Sequence, residues 1–186
     1  CTPTDVRVTV VRRNHQSGSE ESDVLAGNVL FMEFCNCNPD PVINGIAKNP
    51  VRYHFFTGSK QVNNVSGYRQ IQYESLWQGI DLILEGNEGK LKYTFVVHPG
   101  ADPARIQLRY RGAEQLAIDA DNQTLIMKTL LGYLKDEKPY CYQIIDGEEV
   151  PVSVSYNLIE MGADESMVGY SVDSAYDAGY TLFIDP

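Results

Sequence analysis

No stretch of this 186-residue chain approaches the roughly 18 consecutive apolar residues of a membrane-spanning helix. A charged segment leading into an apolar one, the mark of a secretory leader, is also missing, so an exported protein would carry its signal outside this stretch. Positive charge is scarce: 15 Lys and Arg face 25 Asp and Glu, a net −10. That excess argues against nucleic acid or an anionic membrane as partner, and it suits solubility. Gly-x-Ser-x-Gly, His-Glu-x-x-His and a phosphate-cradling glycine loop before a helix are all lacking. The usual nucleophile, zinc-protease and nucleotide signatures are therefore excluded. Four cysteines, Cys1, Cys35, Cys37 and Cys141, are too few for a disulfide framework at this length. Cys35 and Cys37, one residue apart, would on a strand share a face and not easily bridge each other, although bridges to Cys1 or Cys141 are open. His15, His54 and His98 are scattered, with no close ligand pair to hold a metal.

What is present is strand periodicity. Twelve Tyr and six Phe beside a single Trp favour sheet, and the length fits one domain over residues 1–186 with its own core. Val6, Val8 and Val10 alternate with Arg7 and Thr9. Residues 14–27 are polar and read as a surface loop, and Asn28 to Phe34 reads as a central strand ended by the two prolines of residues 36–41. Val51 to Phe56 reads as another short strand. Ile80 to Glu85 and Lys90 to Val97 flank Gly86-Asn87-Glu88-Gly89, a hairpin. His98-Pro99-Gly100 then turns the chain, and Asp102-Pro103 suits the cap and first position of one short helical turn. Ile106, Leu108 and Tyr110 alternate with Arg105, Gln107, Arg109 and Arg111, giving the next strand a wet, basic face. Leu116 to Asp119 and Thr124 to Thr129 form a further pair. Tyr140 to Ile145 meets a strand over Val150 to Leu158 across Asp146-Gly147, a two-residue turn with positive φ or a slightly longer loop. Val168 to Val172 and Tyr180 to Ile184 close the chain. The pattern predicts an all-β fold, an antiparallel β-sandwich or two packed curved sheets of about ten to twelve strands, with little helix.

Candidate chemistry is thin. Asp119 and Asp121 have the spacing of a calcium loop but lack the glycine and closing glutamate of an EF-hand, so turn chemistry accounts for them. The acids of residues 36–40 and Asp164-Glu165 read the same way. Trp77, with Tyr68 and Tyr73 nearby, would suit a sugar platform or a partner surface, while core packing explains the same residues. No carboxylate pair stands out for hydrolysis. Asn64-Val65-Ser66 and Asn122-Gln123-Thr124 match the glycosylation acceptor pattern. No catalytic residue, metal ligand or cofactor is expected.

Several pieces in order carry a resemblance: Gly79-Ile80-Asp81-Leu82, Gly89 through Val97, Pro99-Gly100-Ala101-Asp102-Pro103, Ile106 through Tyr110, Lys138-Pro139, Gly147 through Val152, and the closing Leu182 through Pro186. The chain resembles the domain of unknown function that precedes SBBP (β-propeller-type) repeats in large secreted or surface-attached bacterial and archaeal proteins. The likeness is weakest between Val11 and Lys60, and Cys35, Cys37 and Cys141 lie outside the usual pattern. It implies a non-catalytic, extracellular module in a longer surface protein, with no functional residues to carry over. The expected partners are other protein chains, including copies of itself through strand-edge pairing, with a surface glycan as the alternative and a paired-carboxylate hydrolase as the remote one.

Overall fold

The computed structural model describes residues 5–13, 25–87, 90–160, 166–173 and 176–186. The loop expected over residues 14–27 lies outside them except for Leu25 to Gly27, which already belong to a strand. Among the described residues fifteen strands run in chain order: β1 (Asp5–Arg13), β2 (Leu25–Phe34), β3 (Val42–Thr57), β4 (Lys60–Trp77), β5 (Ile80–Asn87), β6 (Lys90–Val97), β7 (Leu108–Arg111) and β8 (Gln115–Asp119). They continue as β9 (Thr124–Thr129), β10 (Gly132–Asp136), β11 (Tyr140–Ile145), β12 (Glu148–Val152), β13 (Val154–Glu160), β14 (Ser166–Val172) and β15 (Leu182–Asp185). The one described helical element is the 3-10 turn Pro103–Arg105, where the Asp102 carboxylate accepts from the Ala104 amide at 3.0 Å as its capping position predicts.

Every pairing is antiparallel. A five-stranded sheet runs β1-β2-β7-β14-β13 and a seven-stranded sheet runs β12-β11-β15-β6-β5-β4-β3, with a small β10-β9-β8 sheet at the side. The two large sheets pack as a sandwich because their central strands turn apolar alternates inward. Leu30, Met32 and Phe34 of β2 meet Leu82 and Leu84 of β5, Phe95 and Val97 of β6, and Leu182 and Ile184 of β15 in one core. Leu125 and Met127 of β9 bring the small sheet into that core. The expected β5–β6 hairpin forms in register, with Asn87 opposite Lys90. Asp146 and Gly147 both take positive φ, 53° and 86°, as a two-residue hairpin turn requires.

Two expectations change. The described residues hold more strands than the ten to twelve anticipated: residues 42–77 form one long hairpin rather than a short strand over Val51 to Phe56, Gly132–Asp136 adds β10, and one expected strand is divided. Val150 to Leu158 is not one strand either. It breaks at Ser153, so that β12 lies in the seven-stranded sheet and β13 in the five-stranded one. A chain that changes sheets must turn a corner between them, and side-chain alternation continues across that corner.

Candidate functional site

Most of the residues with chemical potential are used to hold the fold. Trp77 is only 3% exposed, packs edge-on against Phe34 and Phe95 at 5.9 Å each, and donates its indole N–H to the Cys35 carbonyl at 2.9 Å. Tyr73 is half-buried against Phe34, whereas Tyr68 is exposed on β4, so the three rings do not form a platform. Tyr142 stacks on Phe183 at 4.9 Å and leans on Tyr140 at 5.5 Å, which leaves little open ring face for a sugar. The basic face expected on β7 is neutralised locally: Arg109 and Arg111 both bond Glu33 on β2, and Arg111 also lies over the Phe31 ring.

Acids follow the same rule. The Asp119 carboxylate accepts from the amides of Asp121 and Asn122 and from the Asn122 side chain, and these bonds lower its pKa. Its oxygens are thus engaged by the turn itself. Three hollows of about 310, 330 and 340 Å³ carry at most one carboxylate each, Asp102 in the first and Asp173 in the second. Among the described residues no three His, Cys, Asp or Glu side chains converge as a metal-ligand set. Cys37 and Cys141 are thiols, and burial pushes the Cys141 pKa up to about 12, far from a reactive thiolate. Cys1, His15, Asp164 and Glu165 lie outside the described residues.

The motif residues explain themselves physically. A bulge in β4 between Tyr73 and Trp77 gives Ser75 a positive φ of 51°. Asp81 holds it, accepting from the Ser75 amide at 2.7 Å and from Gln72 at 3.1 Å, with His98 at 3.0 Å on the same carboxylate. Gly79 takes φ +71°, and a Cβ there would sit 2.8 Å from that of Ala101, so the first motif admits the corner made by the second. Asp185 of the closing motif bonds Lys92 at 2.7 Å and Thr94 at 3.2 Å, fastening β15 to β6.

One buried polar cluster was not foreseen. Tyr93 donates to Asp136 at 2.8 Å, and Tyr110 lies 3.5 Å from both Asp136 and Tyr93. Tyr156 donates to the Glu137 carbonyl at 3.1 Å, and the Tyr170 hydroxyl is buried without a partner. Burial raises the pKa of Asp136 and of all four phenols. Asp136 thereby ties β10 to the main core.

The outer half of the β3–β4 hairpin stands apart from this economy. β4 pairs with β5 only from Gln70 onward, so Lys48–Thr57 and Lys60–Arg69 form a two-stranded ribbon. At about 3.4 Å per residue it is roughly 30 Å long. Every residue from Val51 to Asn64 is exposed. Tyr53 and Phe55 stack along one face, and the register places Val65 and Val62 beside them. Arg52 and His54 occupy the other face, with Phe56 70% exposed near the tip. Two ring-over-glycine contacts stiffen the ribbon. The Tyr68 ring covers Gly45 and the Tyr53 ring covers Gly67, each so closely that a Cβ would collide with it. Residues 41–73 hold four Lys or Arg and no Asp or Glu, in a chain whose remainder holds eleven against twenty-five. That acid-free run was the signal in the sequence that could have located the ribbon. Asn64 lies within it, exposed, with φ 59°.

Comparison with known proteins gives one finding. No curated protein and no solved structure matches the chain. A family model matches residues 4–186, nearly the full length, and on that basis the chain belongs to the family described as a domain of unknown function, DUF7948.

Proposed function

We propose that the chain is a non-catalytic, extracellular structural and interaction module of a cell-surface or filament-forming protein, and that it grips another protein chain through the β3–β4 ribbon. The observation that carries this reading is the ribbon itself. A two-stranded hairpin is marginal in water on its own, and this one displays Tyr53, Phe55, Phe56 and Val62 to solvent. Aromatic residues flanked by Arg are the composition of interface centres. The non-catalytic part draws on Asp81, His98 and Trp77, whose polar groups are engaged in bonds between segments of the fold. The surface address, ahead of SBBP repeats, draws on the resemblance of the motif segments.

The grip works through side chains more than through the backbone ladder. Pro50 and the register shifts between Lys48 and Arg52 and between Tyr53 and Phe55 make the ribbon irregular, which limits strand addition along β3 to short stretches. Hydrogen exchange tests the reading. The amides and side-chain environment of residues 51–64 should gain protection when the chain passes from its isolated form to its native assembly. Protection that rises elsewhere while the ribbon stays open would overturn it.

A further inference from the structure

The ribbon reading leaves the partner's identity open, and the charge map of the molecule addresses it. Residues 139–186 are the counterpart of the ribbon: nine Asp or Glu and no Lys or Arg in 48 residues. Part of this acidic run forms β11 and β12. Their hairpin ends in Asp146, Glu148 and Glu149, with Ile144 and Val150 exposed beside them. β12 is one edge of the seven-stranded sheet, and β3, the outer strand of the ribbon, is the other. A basic, aromatic edge and an acidic, aliphatic edge therefore terminate the same sheet.

Building on the ribbon as interface, we infer that its partner is a second copy of this chain, docked head to tail. The ribbon of one copy lies against the acidic β11–β12 hairpin of the next. Two arguments select this arrangement over a symmetric pair. Ribbon against ribbon would set four Lys or Arg against four, and hairpin against hairpin would oppose three acids to three, both repulsive. Ribbon against hairpin instead joins opposite charges, and it allows Phe56, which alternates onto the face of Arg52 and His54, to meet Ile144, which the register places beside Glu149. Because the two surfaces lie at opposite edges, each docked copy still offers a free ribbon and a free hairpin. Such a heterologous contact is not satisfied within a symmetric pair, and repetition extends it into a filament, or into a ring where the rotation between copies closes. Pro151 in β12 and Pro50 in β3 limit backbone pairing across the joint, so charge and apolar side chains supply most of the contact.

The test uses sedimentation velocity on the chain and two variants, with circular dichroism confirming that each is folded. The ribbon variant carries Arg52→Glu and Phe56→Ser, with Lys60→Glu at the ribbon tip as a second form. The hairpin variant carries Glu148→Gln, Glu149→Gln and Ile144→Ser, neutral changes that give the altered ribbon no opposite charge to meet. The unaltered chain should grow beyond dimers with concentration, and the contact should weaken about tenfold or more between low and high salt. Each variant alone should remain monomeric. An equimolar mixture should recover a single contact and stop at the dimer, because one member keeps its hairpin and the other its ribbon. A mixture that stays monomeric, or an unaltered chain that stops at a closed dimer, overturns the inference. If the ribbon variant fails to associate while the hairpin variant assembles normally, the acceptor lies elsewhere and only the ribbon reading survives. Association that ignores the ribbon changes removes both. A chain that stays monomeric while its ribbon becomes protected in the native assembly identifies a different protein as the partner.

Discussion

Asp136 shows how a single residue sets a condition on this fold. Its carboxylate lies under β10 with Tyr93 and Tyr110 as donors, and burial raises its pKa above the ordinary 3.8 despite those two hydrogen bonds. Below the unfolded value the acid is neutral in both states, and the fold carries no buried anion. As pH rises through the folded pKa, the native state must hold that charge, and stability is lost. Asp136→Asn should therefore gain stability relative to the unaltered chain between about pH 4 and pH 7 and show no such trend below. Urea unfolding at both pH values measures this, and a difference that does not change with pH would contradict the cause assigned here. The cluster was not legible in the sequence. Tyr93, Tyr110, Tyr156 and Tyr170 belong to four strands, and nothing local marks them as neighbours of one acid. The Asp102 cap and the Asp119 turn were legible, because each carboxylate bonds amides two or three residues ahead.

At the scale of elements, the β3–β4 ribbon is the exception in a molecule of short strands. Its outer part touches no buried core, so removing it should leave the sandwich standing. Replacing residues 50–66 with a two-residue turn should change the unfolding free energy little, by about the 0.5 kcal/mol typical of surface substitutions away from packed features. Thermal unfolding followed by circular dichroism checks this, and a collapse of the remaining fold would show the ribbon to be structural. The two hairpins differed in legibility for a physical reason. β5 and β6 turn one face into the core, which writes alternation into Tyr93, Phe95 and Val97, and Leu91 continues it toward the exposed end of the hairpin. The outer ribbon is exposed on both faces, so burial imposes no period-two pattern there, and its Asn, Gly and Ser residues look like a loop. The corner at Ser153 was hidden by the opposite effect, since β12 and β13 keep one alternation while entering different sheets.

The whole molecule is held by pairings between distant segments. β2 joins β7, and the Asn28 side chain bonds the carbonyl of Gly112, 84 residues away. Gly112 takes φ +91° with its Cα against the Val29 carbonyl, a contact that has no room for a Cβ. Trp77 lies where Phe34 of the five-stranded sheet meets Phe95 of the seven-stranded one. Its fluorescence should therefore report the loss of both sheets, and its unfolding curve should coincide with that of far-ultraviolet circular dichroism. Separate midpoints would mean that the sheets come apart independently.

Fold class, the central hairpin, the capped turn and the positive-φ turn at Asp146-Gly147 were determined by the sequence alone, because each rests on forces acting within a few residues: alternation of burial, capping and backbone sterics. Tertiary structure decided which strands share a sheet, that Trp77, Asp81 and Glu33 bond across segments distant in the chain, and that the acid-free and base-free segments supply opposite edges of one sheet. Those outcomes depend on contacts between residues far apart in the chain, and the energy of such contacts leaves no local mark in the order of amino acids.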